Sequence, residues 1–258
     1  MNRTACALFL LAFGLSATAP RAPGADATDV KELLANLRKA DPTDRRKAAE
    51  AISDICKTGD GDFVAAVPAL VEALKDRDAI VRGELAEALG FIGPDAKSAI
   101  PAVRALLRDP IPEVRAKAAF ALGGFGDEAK ATVPDLIALL KDRDEQVRAS
   151  AAAGLGEIGP AAKAAVPGLI GLLKDTDPEV RLNAAATLGV FGGDAKSADR
   201  AMLPLLKDRD EGVRGQAAET LGKLGADPKL VVPALTSALA DKHPGVRGDV
   251  ADALATFK

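Results

Sequence analysis

The chain has 258 residues and 48% of them are hydrophobic, yet it contains no Trp, no Tyr and only eight Phe. The apolar residues are mainly Ala, Leu, Val and Ile, which favour closely packed helices over a β-sandwich or a β-barrel. A formal net charge of −3 argues against broad binding to nucleic acid or to an anionic membrane surface.

The first 27 residues are predicted to be an export signal and a short linker. Arg3 supplies a positive start, and residues 4–19 form an apolar run that is short for a membrane span of roughly 20 residues. Cleavage after Ala19 and cleavage after Ala27 both fit the small residues there, and an uncleaved anchor is the alternative. The exported chain keeps one cysteine, Cys56, so no internal disulfide is expected.

From residue 28 onward the chain repeats with a period of 33 residues. A Val-Arg pair recurs at this interval, and its arginines are Arg82, Arg115, Arg148, Arg181, Arg214 and Arg247. Arg45 holds the same place in an earlier, degenerate repeat. It lies 37 residues before Arg82, not 33, because residues 59–66 carry about four extra residues. The pattern predicts seven repeats, at about 28–58, 66–98, 99–131, 132–164, 165–197, 198–230 and 231–258.

Each repeat is predicted to hold two helices. In the second repeat the first helix opens near Pro68 and closes at Lys75, and the second helix runs from the N-cap Asp78 to Gly93. In the sixth repeat Arg200 replaces the proline and Pro204 follows, so its first helix is expected to start late or to bend. One hairpin cannot bury its apolar faces alone, so neighbouring hairpins must stack.

The repeats resemble HEAT repeats of the short type known as phycobilisome-lyase-like, or E-Z, repeats. The likeness rests on "KDRDAIVRGELAEALGFIG", residues 75–93, and "KDRDEQVRASAAAGLGEIG", residues 141–159, with an aspartate in the turn and Val-Arg in the second helix. The resemblance implies an all-α fold, a right-handed α-solenoid of about seven helical hairpins in the armadillo and HEAT class.

The same resemblance implies a ladder between repeats. In HEAT proteins the turn aspartate of one repeat contacts the arginine of an adjacent repeat, and the aspartates in question here are Asp76, Asp109, Asp142, Asp175, Asp208 and Asp241. Partly exposed pairs contribute about 0.2–1 kcal/mol each, whereas truncating a buried leucine costs about 2–5 kcal/mol. The ladder is therefore expected to set the stacking register, while the apolar columns supply most of the stability.

No residue pattern predicts a catalytic, cofactor-binding or metal site. The only histidine, His243, stands before Pro244 and is expected to be a surface capping residue, and Cys56 is expected to be an inert thiol. The repeated His-Glu pairs of the iron-binding deoxyhypusine hydroxylases, which are also HEAT proteins, are not found here. We therefore expect no enzyme; an enzyme or enzyme subunit related to the bilin lyases is the alternative, and the export signal argues against it.

Candidate partner-binding residues come from columns that vary between repeats. The position two residues after the arginine is polar and is expected on the exposed face of the second helices; it includes Lys117, Ser150, Asn183 and Gln216. Phe91 and Phe120 are candidate exposed anchors, although Phe120 could instead pack against the neighbouring repeat. Five lysines at the 33-residue interval, from Lys97 to Lys229, are expected mainly to pair with nearby acids; an acidic partner or a polysaccharide is the alternative.

These observations predict an exported, non-enzymatic, monomeric scaffold without cofactors. It is expected to bind another protein through its second-helix face, which we expect to be concave, and neither to bind nucleic acid nor to insert in a membrane after signal cleavage. A structural envelope protein without a discrete ligand is a further alternative.

Overall fold

The computed structural model describes residues 27–59 and 62–257, and all regular secondary structure in these residues is helical. They form two compact halves, an N-terminal half that ends at Thr132 and a C-terminal half that begins at Val133. The predicted export signal, apart from Ala27, lies outside the described residues. Within the described ranges, no helix is both long enough and apolar enough to cross a membrane.

The N-terminal half contains six α-helices, two for each of its three repeats. They are α1 (Ala27–Asn36), α2 (Pro42–Thr58), α3 (Val67–Ala73), α4 (Ala79–Ile92), α5 (Ile100–Ala105) and α6 (Pro112–Gly124). The C-terminal half contains eight α-helices for four repeats. They are α7 (Val133–Leu139), α8 (Glu145–Ile158), α9 (Val166–Leu172), α10 (Pro178–Phe191), α11 (Asp199–Met202), α12 (Glu211–Lys223), α13 (Pro228–Ala238) and α14 (Pro244–Ala255).

The ends of the second helices follow from the residues placed there. The Asp78 carboxylate accepts a hydrogen bond from the Ile80 N–H at 2.9 Å and caps α4, which ends at Gly93 with φ 75°. That value favours glycine because it lies in the left-handed region. Where Ile111 and His243 replace the aspartate, they hold the N-cap position, but neither side chain makes a capping hydrogen bond.

The core of each half lies along the second helices. Val81, Leu85 and Leu89 of α4 are fully buried, and the equivalent apolar positions of the other second helices are buried as well. In the N-terminal half α4 packs between α2 and α6, and in the C-terminal half α8, α10, α12 and α14 pack in sequence. Neighbouring hairpins therefore shield each other's apolar faces, which confirms the predicted all-α solenoid class.

The sixth repeat has the shortest first α-helix in the described part of the chain, although a 3₁₀ segment, Leu106–Arg108, also ends the first helix of the third repeat. The α-helix α11 spans only Asp199–Met202 and passes into a 3₁₀ segment, Leu203–Lys207, whereas α9 of the fifth repeat spans Val166–Leu172. Since Asp199 lies one period after Val166, the helix does not start late but changes its geometry next to Pro204. Leu203, at which the 3₁₀ segment begins, lines a cleft of the C-terminal half.

Candidate functional site

The predicted arginine and aspartate columns meet between adjacent repeats. Arg82 donates from Nε and Nη2 to the two carboxylate oxygens of Asp109, at 2.8 and 3.0 Å. Its Nη1 donates at 2.8 Å to the Asp76 carbonyl in its own repeat. Asp109 in turn accepts the Ile111 N–H at 3.0 Å. One arginine thus fastens the turn of its own repeat to the turn of the next repeat.

The same bidentate arginine–aspartate pair recurs in both halves. The further pairs are Arg45 with Asp76, Arg148 with Asp175, Arg181 with Asp208, and Arg214 with Asp241. Arg115 donates to the Asp109 carbonyl in the turn of its own repeat, and Arg247 donates in the same way to the Asp241 carbonyl. Asp142 accepts the Asp144 N–H. Arg45 was not among the predicted ladder residues, although the repeat period placed it in the same column.

Both partners in the ladder keep their charge. Burial by itself would raise the pKa of Asp175, but hydrogen bonds from Arg148 and from the Asp177 N–H outweigh it, so this pKa is lowered. The Asp208 pKa is lowered in the same way, beside Arg181. The pKa of the Arg148 guanidinium is raised, chiefly by its hydrogen bonds to Asp175. Since each charge is satisfied inside the protein, the ladder joins repeats rather than offering a surface to a partner.

The polar column expected on an exposed face lies mostly between helices instead. Ser150 is 6% and Asn183 is 8% exposed, and the Asn183 amide donates to the Glu179 carbonyl at 3.0 Å. Gln216 is half-buried and donates to Thr220 at 3.3 Å. The column faces the neighbouring second helix because the second helices pack side by side. Ser150 and Asn183 are therefore not available as partner contacts.

Lys117, from the same column, forms an ion-pair cluster with two glutamates. Its ammonium lies 2.5 Å from Glu84 and 3.0 Å from Glu87, both on the preceding second helix, and Glu87 is only 5% exposed. Burial would lower the Lys117 pKa, but Glu87 and Glu84 outweigh it and the pKa is raised. The cluster joins α4 to α6 and leaves one carboxylate charge in excess.

Two threonine hydroxyls also connect second helices, which the sequence pattern did not indicate. Thr187 donates to the Ala152 carbonyl at 2.8 Å, and Thr220 donates to the Ala185 carbonyl at 3.0 Å. Both threonines are buried, and both acceptors lie on the preceding second helix. The regular spacing of Thr187 and Thr220, one period apart, is the only signal by which the sequence could have suggested this contact.

Phe91 and Phe120 form an aromatic pair between adjacent second helices. Their ring centroids are 6.4 Å apart with an interplanar angle of 57°, and both residues are half-buried. The Lys57 ammonium lies 5.6 Å from the centroid of the Phe91 ring, within reach of a cation–π interaction. We call Lys57, Phe91 and Phe120 the aromatic patch. Phe120 thus contacts the neighbouring repeat and keeps part of its ring accessible.

Comparison with a family model shows the family of this chain. The model for HEAT repeats matches residues 30–111, 67–133, 100–167, 133–202 and 166–255, which overlap to cover nearly the whole sequence. The chain belongs to the HEAT repeat family. No curated protein matches it.

Solved structures share the HEAT fold. Two engineered proteins match with TM-scores of 0.64 and 0.56 at 26% and 25% identity, over 90% and 89% of this chain and 69% and 96% of theirs. The complex of CpcE and CpcF of phycocyanin lyase from Nostoc sp. PCC7120 matches with a TM-score of 0.60 at 23% identity, over 95% of this chain and 100% of that one. At this identity the likeness to the lyase complex is one of fold.

Burial sets the reactivity of Cys56. Cys56 is buried, which raises its pKa to about 12 and keeps the thiol protonated at neutral pH. It lies within α2, which continues to Thr58 and is capped by Gly59. In the ranges that the structure describes, no group of three or more His, Cys, Asp or Glu residues has a geometry that could hold a metal ion.

The lysine stripe of the HEAT repeats is exposed and partly paired. Lys97 lies 3.2 Å from Glu128 and Lys163 lies 3.7 Å from Asp194, each in the next repeat, while Lys130 lies 3.4 Å from Asp127 in its own repeat. These side chains are about half to three-quarters exposed, so each pair contributes little to stability.

Proposed function

We propose that this HEAT-repeat chain is a monomeric, non-enzymatic scaffold that binds another protein through the second-helix face of its N-terminal half. The observation that carries the proposal is the aromatic patch. Phe63 and Phe125 of the same half are at most 1% exposed, whereas Phe91 and Phe120 keep accessible ring area. Clustered aromatic rings at a surface are typical anchors of protein interfaces.

The aromatic patch and the charges around it favour a protein as the partner of this face. Burying apolar area contributes about 25 cal/mol per Å², so two partly exposed rings that touch each other form one continuous anchor. Lys57 lies over one ring, and the Glu84, Glu87 and Lys117 cluster lies one or two helical turns away on the same two helices. An apolar centre beside buried and half-buried charge suits a folded partner or a helix that brings apolar side chains.

Substitution of Phe120 tests the proposal. Phe120→Glu is expected to abolish capture of the partner from an envelope fraction by residues 28–258, with an unchanged melting temperature, because a carboxylate cannot enter an apolar interface. Val190→Glu is the matched control, since Val190 is 45% exposed on a second helix of the C-terminal half. It should capture the same partner as the unchanged chain.

Two outcomes would contradict the proposal. If Phe120→Glu lowers the melting temperature by many degrees, the ring belongs to the core and is no anchor. If Phe120→Glu stays folded and captures the same partner as Val190→Glu, the binding face lies elsewhere.

Export is part of the same proposal. The charged start and the apolar run of residues 1–19 support it, and the scaffold would then act in the periplasm, in the cell envelope or outside the cell.

A rival proposal is an enzyme or enzyme subunit that acts on bilin-bearing proteins. The likeness to the phycocyanin lyase complex favours it, but at 23% identity that likeness supports the fold alone. Transfer of a bilin to apo-phycocyanin in the presence of the purified chain would favour this rival over the scaffold.

A further inference from the structure

A cleft of about 660 Å³ opens between the first helices of the sixth and seventh repeats, within the C-terminal half. Leu203 and Leu206 line it from the sixth repeat, and Ala234 and Ala238 line it from α13. The ladder pair of Arg214 and Asp241 forms part of the lining. The side chains of the two repeats therefore leave this space between them unfilled.

The cleft exists because two side chains are shortened relative to the chain's own pattern. Ala238 occupies the position that Leu172 and Leu205 fill in the two preceding repeats, where both leucines are largely buried. Ala240 occupies the position of Lys207, one period earlier. The change of the sixth repeat from α to 3₁₀ geometry at Leu203 places the opposite wall. An unfilled apolar space costs stability, so a ligand that fills it gains binding energy.

The charge of the cleft indicates the sign of its ligand. Asp241 is matched by Arg214, whose Nε lies 2.7 Å from the carboxylate and whose side chain is only 5% exposed. Arg200 and Lys207 also line the cleft, both are exposed, and neither forms an ion pair with another described residue. The apolar walls are thus bordered by two cations whose charge is not compensated within the part of the chain that the structure describes.

We propose that this cleft binds a short apolar segment of a protein partner that carries acidic side chains. Its volume lies within the range of about 300–1,000 Å³ typical of ligand sites, and the acidic groups would pair with Arg200 and Lys207. A peptide suits it better than a fatty acyl chain, because the lining includes the Ser237 hydroxyl, which donates to the Pro233 carbonyl and whose oxygen can accept a main-chain N–H. The inference rests on the proposed binding of protein, but it uses no residue of the aromatic patch.

The test uses a capped hexapeptide of alternating leucine and glutamate as the acidic probe and its leucine–lysine counterpart as the control probe. Titration of the ¹⁵N-labelled chain should shift the amide signals of residues 234–241 with the acidic peptide only. The double variant Arg200→Glu/Lys207→Glu should weaken binding at least about tenfold. Lys174→Glu, at the position of Lys207 one repeat earlier, is the matched control and should bind as the unchanged chain does.

A second variant fills the cleft without departing from the chain's own pattern. Ala238→Leu/Ala240→Lys restores the residues found one repeat earlier and should abolish binding while the helix content stays the same. Equal binding of the acidic peptide to this folded variant, equal binding of the basic peptide, or no shift in residues 234–241 would overturn the proposal. Phe120→Glu should leave peptide binding unchanged, so failure at the cleft can be told apart from failure at the aromatic patch.

Discussion

Arg181 illustrates how a single side chain joins two repeats. Its Nε and Nη2 lie 2.8 and 2.7 Å from the Asp208 carboxylate, and its Nη1 lies 2.8 Å from the Asp175 carbonyl. The arginine side chain is 13% and the aspartate side chain 12% exposed. At this burial the loss of one partner leaves the other charge poorly solvated, which costs more than the pair contributes when intact.

Arg181→Met is therefore expected to lower the free energy of unfolding by about 2–3 kcal/mol. Lys174→Met, in the exposed part of the same turn, is the control and should change it by less than about 0.5 kcal/mol. Urea denaturation followed by circular dichroism measures both values. Equal values for the two variants would mean that the ladder is no stronger than an exposed surface pair.

The ladder aspartates also predict a response to acid. The pKa of Asp208 is lowered in the folded chain, so its contribution is fully present above the unfolded value of about 3.9 and is lost as the pH falls through the folded pKa. Stability should therefore decline as the pH falls below about 4. Asp208→Asn should be less stable at pH 7 and should lose less on acidification, as measured by urea denaturation at pH 7 and pH 3. A parallel loss in both proteins would rule out this titration as a cause.

Among the helices, the second helices of the N-terminal half approach each other at glycine. A Cβ added to Gly90 would lie 2.6 Å from the Ala121 Cα and 2.9 Å from its carbonyl oxygen. These are backbone atoms, so neither can move aside without shifting the helix. Gly248, on the exposed side of α14, has no atom within 4 Å of the same added carbon.

Gly90→Ala is expected to destabilise the chain by about 2 kcal/mol or more, because α4 and α6 must separate. Gly248→Ala should instead stabilise it by about 0.5–1 kcal/mol, since alanine is the better helix former. The two melting temperatures measure the difference in sign. A Gly90→Ala variant as stable as the unchanged chain would contradict this close approach of α4 and α6.

The helices also illustrate the limits of the repeat pattern. Their ends follow from Asp78, Gly93 and their equivalents, which act locally and were read from the sequence. The direction of the polar column did not follow, because the 3.6-residue period gives the spacing of a helical face but not the neighbour towards which it turns. Ser150 and Asn183 therefore became buried residues once the second helices packed against one another.

At the scale of the whole molecule, the proposed export from the cytoplasm can be tested directly. Residues 1–27 fused to alkaline phosphatase should direct the enzyme out of the cytoplasm of a bacterium, where it becomes active. Leu10→Glu/Leu11→Glu interrupts the apolar run and should keep the fusion inside and inactive. An inactive unchanged fusion would contradict the proposed export.

The sequence by itself determined the 33-residue period, the caps of most second helices and the ladder columns, because these depend on local chemistry repeated along the chain, and its resemblance to HEAT repeats indicated the family. Only the tertiary structure decided which polar residues remain accessible, that Phe91 and Phe120 share a half-exposed surface, and that two alanines open a cleft between the last two repeats. Those properties depend on the distance and rotation between helices, which arise from packing many side chains at once and cannot be assigned to any one position.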